Sequence, residues 1–276
     1  MLHDETNFGI GTLVAADDTE IAALFTALAV RAAAAILQFD CRKVASRQKA
    51  DRSMVTAADE AAEAAILPGL AALHGMPVVS EESAPEAHAG DYVLVDPLDG
   101  TAEFLGGRDE YTVNIALVRG GVPAIGVIGA PALGLVWRGA GGTAERLRVS
   151  DAGEIVERAA IRTRAWPAER VATISRSHYE AASAEFLQRF APVTTLACGS
   201  ALKFCRLAEG AADIYPRLAP TSEWDVAAGH ALVVAAGGAM TAPDGSALVY
   251  GRGEGHRVPG FVAWGDPAAA TRPSRS

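Results

Sequence analysis

Apolar positions recur with helical spacing from about Asp18 to Arg42, so the chain opens its patterned region with a long helix. Its most apolar stretch, Ile21 to Phe39, is interrupted by Thr26, Arg31 and Gln38, and predicts an Ala-rich buried helix rather than a membrane span. Ser53 or Thr56 is placed to cap a second helix from Ala57 to Ile66. Two short apolar strands follow, Pro77 to Ser80 and Tyr92 to Val95, and each runs into acids: Glu81-Glu82 after the first, Asp96-Pro-Leu-Asp99 after the second. Alternating runs at Thr112 to Arg119 and Ala124 to Gly129, with Gly120-Gly121 between them, predict a hairpin. Beyond a stretch rich in Gly and charge (Gly139 to Asp151), strands at Val171 to Ser175 and Thr194 to Ala197 alternate with helices at Ala181 to Phe190, Ser200 to Glu209 and Asp225 to Ala236. The expected organisation is an α+β half over residues 1–145, an α/β half over 146–266, and a polar, disordered tail over 267–276.

Composition narrows the possible partners. The 276 residues are half hydrophobic and carry a net charge of −9, which suits one large domain or two joined halves and argues against a binder of nucleic-acid polymers. Cys41, Cys198 and Cys205 are odd in number and lack metal-ligand spacing, and the first residues lack a basic leader segment. A soluble, reduced, cytoplasmic protein is expected, without a transmembrane segment and with peripheral contact at the inner membrane left open. No exposed apolar stripe separates a monomer from a homodimer.

The candidate chemistry is concentrated in Asp96-Pro-Leu-Asp-Gly-Thr101. Pro97 and Gly100 bend a strand end so that Asp96, the Leu98 carbonyl, Asp99 and the Thr101 side chain converge, an oxygen-rich surrounding that suits a hard cation such as Mg²⁺. A helix beginning near Gly100 would point free N–H groups at the same volume, where a phosphate fits. Glu81, Asp59 and Asp225 also lie at or near element ends. Gathering such acids without counter-charge is unfavourable, so two or three metal ions are expected with them. Considered alone, Asp225 is an ordinary helix cap, and His230 one turn later is structural; His3, His74, His88 and His256 carry no signal.

Taken together, Glu81-Glu-Ser83, Asp96-Pro-Leu-Asp-Gly-Thr101 and Trp224-Asp-Val-Ala-Ala-Gly229 resemble the signatures of the inositol monophosphatase-like, lithium-sensitive metal phosphatases, and Lys49 to Asp59 resembles their N-terminal segment. The resemblance runs from about residue 18 to 265. It implies a layered αβαβα sandwich like that of inositol monophosphatase and fructose-1,6-bisphosphatase. Among site residues it implies Mg²⁺ ligands at Glu81, Asp96, the Leu98 carbonyl, Asp99 and Asp225. It pairs Asp59 with Thr101 as the residues that orient and activate the attacking water, with Gly100 and Thr101 at the phosphoryl group. Ile174 to His178, Gly199 to Cys205 and Asp213 to Arg217 are similar to the 3'(2'),5'-bisphosphate nucleotidase branch. There the resemblance implies a nucleotide pocket of His178, Ser200, Lys203, Arg217 and Asp225. The implied reaction converts adenosine 3',5'-bisphosphate, or its sulfated analogue, to AMP or the corresponding sulfate plus phosphate, a clearance step of sulfate assimilation. An inositol or other sugar monophosphatase is the alternative. Arg217 opposes it: inositol phosphatases resemble one another in a glutamate there, and a guanidinium cannot accept ring hydroxyls. Ala102, where the branch commonly has lysine, and the loop Gly255-His-Arg-Val-Pro-Gly260 depart from the branch.

Overall fold

The structure is a computed structural model and describes residues 17–48, 54–73, 75–83, 90–177, 180–252 and 254–271. Helix α1 (Asp18–Ile36) starts on a reciprocal cap, with Asp17 Oδ1 accepting the Thr19 and Glu20 N–H groups at 2.8 and 2.9 Å. Strands β1 (Ser46–Gln48) and β2 (Met54–Thr56) pair antiparallel and lead into α2 (Ala57–Leu70), which Thr56 caps; Ser53, the other candidate cap, lies outside the described residues. Then come β3 (Val78–Ser80), β4 (Tyr92–Asp99), the short helix α3 (Thr101–Leu105), β5 (Thr112–Arg119), β6 (Val122–Ala130), β7 (Leu135–Ala140), β8 (Thr143–Val149) and β9 (Ile155–Ala160). These seven strands form one sheet in sequence order, antiparallel except for the β3–β4 pair.

The later elements are β10 (Arg170–Ser175), α4 (Ala181–Gln188), β11 (Val193–Cys198), α5 (Leu202–Ala208), β12 (Ile214–Arg217), β13 (Thr221–Ser222), α6 (Glu223–Ala235), β14 (Ala239–Thr241), β15 (Arg257–Val258), β16 (Phe261–Trp264) and α7 (Pro267–Ala270). Five of the strands make a second sheet, ordered β11-β10-β12-β16-β14 and parallel across its first three members. Helices α1 and α2 cover the outer face of the first sheet, burying Phe25, Leu28, Ile36 and Ile66 against Val113, Ile115 and Val127. On its other face lie α5 and α6, packed between the sheets with Phe204, Val226 and Leu232 buried. The outer face of the second sheet is covered by α4 and α7 through Leu187 and Ala269. Five layers result, in the order αβαβα, as the motifs imply. Full burial of each large apolar side chain contributes roughly 1.5–3 kcal/mol. The central layer is tight: a Cβ on Gly126 of β6 would stand 2.2 Å from the Ala228 carbonyl oxygen of α6, so only glycine admits the helix.

Three sequence expectations change. The stretch rich in Gly and charge from 139 to 151 is not where the halves divide: Gly141 and Gly142, at φ +55° and +76°, turn the β7–β8 hairpin. The division expected at 145/146 therefore falls inside β8, and the chain passes from one sheet to the other between 160 and 170. The expected disordered tail begins with a helix instead, since Asp266 caps α7 through the Ala268 N–H at 3.0 Å and Ala269 is buried; residues 272–276 lie outside the described residues. The long first helix does have the length and composition to cross a membrane, yet 56% of its apolar window is buried within the protein.

Candidate active site

Strand β4 extends through Pro97 to Asp99, further than its apolar run predicts. Its pairing with β5 shifts register between Asp96↔Asn114 and Asp99↔Thr112, a bulge in which three steps on β4 match two on β5. Residues three apart on a regular strand point to opposite faces; the bulge turns both carboxylates to one cavity. Asp96 Oδ1 accepts the Leu98 N–H at 3.1 Å, which closes the turn. At φ +89°, Gly100 is in the left-handed region, and a Cβ there would lie 2.1 Å from Ser200 Oγ, so glycine is required twice over.

Neighbouring elements supply the other acids. Strand β3 pairs parallel to β4, and the Glu81 N–H donates to the Val95 carbonyl at 3.1 Å, which sets Glu81 beside Asp96. Asp59 sits at the third position of α2. Its Oδ2 accepts the Thr56 N–H and hydroxyl at 2.8 and 2.7 Å, and its Oδ1 accepts the Thr101 hydroxyl at 3.1 Å. The Leu98 carbonyl is the other acceptor near that hydroxyl, at 3.3 Å. Asp225 holds the equivalent place in α6, with Oδ2 accepting from the Ser222 N–H at 3.1 Å and from the Thr221 hydroxyl. Glu81, Asp96, Asp99, Thr101 and Asp225 all line one cavity of about 360 Å³.

Crowding of like charge is evident in this group. Burial, reinforced by Glu81, Asp99, Asp225 and Asp59, holds the Asp96 carboxyl well above the usual range. Asp99 is pushed up to about 6 by burial and then by Asp225, against the pull of Lys203 and a 3.4 Å hydrogen bond from Asn114. Burial also raises Asp59, against its bonds from Thr56 and Thr101. The donors are all oxygen and mutually repelling, which fits a hard divalent cation. They line the cavity rather than close on a point: among the described residues, no three acidic, His or Cys side chains form a finished coordination group.

Basic residues line the same cavity. The Lys203 ammonium is buried, 5.5 Å from the Tyr215 ring centroid, and donates to the Ser200 carbonyl at 2.6 Å. Burial lowers its pKa while Asp99 raises it. Ser200, at φ +48°, shares its hydroxyl proton between the Asp99 and Glu110 carbonyls at 2.9 and 2.7 Å, so it fastens the β4 turn as well as facing the cavity. Arg217 borders this cavity and a larger apolar one under α4, and its buried Nε has no partner. His178 lies outside the described residues.

Sequence reasoning missed several neighbours. Glu103 on α3 is buried, lines the cavity and accepts the Ser177 hydroxyl, although as a helix glutamate it gave no distinguishing signal. Arg176 grips Glu110 through two bonds of 2.6 and 2.8 Å, and Glu110 in turn accepts the Gly199 N–H at 3.0 Å, bracing the Ser200 loop. His256, dismissed from sequence, is buried with Nδ1 3.2 Å from Glu223. His230 is structural as expected: burial pushes its pKa to about 4, and Nδ1 lies 3.1 Å from the Tyr250 hydroxyl.

Comparison with known proteins agrees with this arrangement. The model of the inositol monophosphatase family matches residues 17–271. The 3'(2'),5'-bisphosphate nucleotidase CysQ of Salmonella typhimurium is 43% identical over 227 residues, covering 78% of this chain and 86% of the relative. The crystal structure of CysQ from Bacteroides thetaiotaomicron superposes with a TM-score of 0.74 at 32% identity, covering 88% of this chain and 96% of that one. The fold alone is shared with the Thermotoga maritima IMPase, at a TM-score of 0.72 and 22% identity over 89% of this chain and 92% of that one. With the acidic bulge, the capped carboxylates and the five-layered fold all in place, the chain belongs to the inositol monophosphatase family, in the branch that holds the CysQ proteins.

Proposed function

We propose that this protein is a Mg²⁺-dependent phosphatase that removes the 3'-phosphate of adenosine 3',5'-bisphosphate, and of its sulfated analogue, to leave AMP or the corresponding sulfate. One observation supports this above the others: Glu81, Asp96, Asp99 and Asp225 line the same cavity as Lys203 and Arg217. Glu81, Asp96, the Leu98 carbonyl, Asp99 and Asp225 are the groups that would hold two or three Mg²⁺ ions. Bound there, Mg²⁺ supplies charge neutralisation for the phosphoryl group, a more acidic water and stabilisation of the leaving oxygen.

Unaided phosphate-monoester hydrolysis needs accelerations of up to about 10²¹-fold, and acid–base groups contribute only about 10²–10⁴ of that. The protein's own part is orientation. With Asp59 accepting its proton, the Thr101 hydroxyl keeps lone pairs free to take a hydrogen bond from the attacking water. Gly100 and Thr101 lie at the phosphoryl group. The second phosphate is assigned to Arg217, whose guanidinium offers charged donors in a fork that fits phosphate, with Lys203 and Ser200 beside it and His178 at the nucleotide.

³¹P NMR of the reaction with Mg²⁺ tests this. Loss of the 3'-phosphorus signal with AMP as product, abolished in Asp99→Asn, is the expected outcome. Release of the 5'-phosphate, or near-normal turnover in Asp99→Asn, would contradict it.

A further inference from the structure

Glu223 opens α6 two residues before Asp225 and is only 1% exposed. Its Oε2 accepts the Tyr92 hydroxyl at 3.0 Å and faces His256 Nδ1 at 3.2 Å, while its Oε1 accepts the Gly251 N–H at 2.7 Å. Three elements thus meet on one carboxylate. Tyr92 begins β4, the strand that ends in Asp96 and Asp99. His256 directly precedes β15, whose pairing with β13 (Thr221↔Val258, Ser222↔Arg257) leads straight into α6. Tyr92 and His256 are themselves 1% and 2% exposed, and Trp224 closes over the His256 ring at 6.1 Å between centroids.

A carboxyl group buried two residues before Asp225 needs partners, because a buried polar group without them is costly. Tyr92 and the Gly251 N–H both donate to Glu223, and His256 Nδ1 lies within bonding distance, so both of its oxygens are held. Asp225 has its own caps in Thr221 and Ser222, but these belong to its own segment. Among the contacts described for this helix end, the Tyr92–Glu223 bond refers Asp225 to the strand of Asp96 and Asp99.

We propose that Glu223 is a positioning residue of the metal site: bonded to Tyr92, Gly251 and His256, it fixes the start of α6 against β4 and so sets Asp225 opposite Asp96 and Asp99 before any cation arrives. This rests on the reading of Asp225 as a Mg²⁺ ligand. Truncating Glu223 lets the helix start move, and the cation then has to draw Asp225 into place. Groups that orient ligands from behind are worth about 10–100-fold in metal affinity.

The test is calorimetric titration of Mg²⁺ into the metal-free full-length protein without substrate, at a temperature where circular dichroism shows each variant folded. Glu223→Ala is expected to raise the dissociation constant by about 10–100-fold. Tyr92→Phe, which deletes one hydroxyl, raises it by a smaller factor and decides the matter if Glu223→Ala does not fold. Glu223→Gln is expected within about threefold of wild type, because its amide pairs with the other His256 tautomer and a rotated Tyr92 hydroxyl. A lower melting temperature with an unchanged dissociation constant in Glu223→Ala, or in Tyr92→Phe, overturns the inference. So does a Glu223→Gln protein as weak as Glu223→Ala, which would assign the effect to charge. Asp225→Asn separates the two levels. If it binds Mg²⁺ like wild type, the metal reading fails and takes this inference with it; if it binds weakly while Glu223→Ala binds normally, only the inference falls.

Discussion

The Thr101 hydroxyl lies 3.1 Å from Asp59 Oδ1, across forty-two positions of sequence, and both Asp59 oxygens are thereby engaged by protein donors. A carboxylate so fully held cannot swing to act alone, and its effect passes through Thr101. Asp59→Asn is expected to lower kcat by about 10²–10⁴. The change leaves KM near wild type and Mg²⁺ binding intact, because Asp59 is the third residue of a capping box rather than part of the cavity floor. Steady-state kinetics beside a Mg²⁺ titration checks both halves of that statement. Thr101→Val should reproduce the kcat loss.

Gly100 and Ser200 form a second coupled pair. Gly100→Ala must accept a left-handed φ and a contact of 2.1 Å, so it is expected to destabilise by about 1–2 kcal/mol for the backbone and about 1–3 kcal/mol for the crowding. Urea unfolding measures the sum. Combining it with Ser200→Gly should restore the crowding part alone, and a double-mutant cycle with no coupling would contradict the contact.

His230 should be visible in acid. Its folded pKa of about 4 lies below the ordinary 6.5, so the unfolded chain binds the proton more tightly between those values. The stability is therefore fully present above about pH 6.5 and is lost as pH falls towards 4, by about 3 kcal/mol at most. Thermal melts from pH 7.5 to 4.5 follow this slope, and His230→Leu should flatten it while lowering stability at neutral pH, since Tyr250 loses its partner.

Asp99 behaves in the opposite sense. Its carboxyl is raised to about 6, so the metal-free protein loses stability as pH rises from about 4 through 6, and Mg²⁺ removes that loss. Protons compete with the cation below about pH 6. Lys203 pulls Asp99 down, so Lys203→Met should shift the midpoint of the Mg²⁺-affinity profile to higher pH. A profile that moves to lower pH would refute the pairing.

Much of this site is legible in the chain because its acids mark element ends: Glu81 follows β3, Asp96 and Asp99 end β4, and Asp59 and Asp225 lie in first helical turns. Those positions depend on local rules of strands, turns and caps. What escapes is set by distant packing. Glu103, Glu110 and Glu223 look like surface glutamates until Ser177, Arg176 and Tyr92 are brought to them, and nothing near His256 announces its burial. Strand β12 carries Pro216 within Ile214-Tyr-Pro-Arg217 and so lacks a plain strand pattern, and the glycines of the β7–β8 hairpin coincide with the division expected between halves. In the first case pairing with β16 and β10 makes the strand; in the second, left-handed glycines make a hairpin turn inside one sheet.

The central claim is that Lys203 and Arg217 select a substrate with a second phosphate. Its most direct test is the ratio of kcat/KM for adenosine 3',5'-bisphosphate to that for inositol 1-phosphate, with Mg²⁺, measured on the same preparation. A single charge-assisted hydrogen bond of about 1.5 kcal/mol is worth about tenfold, so a ratio above roughly ten is expected. Equal or faster release from the inositol ester would contradict the account.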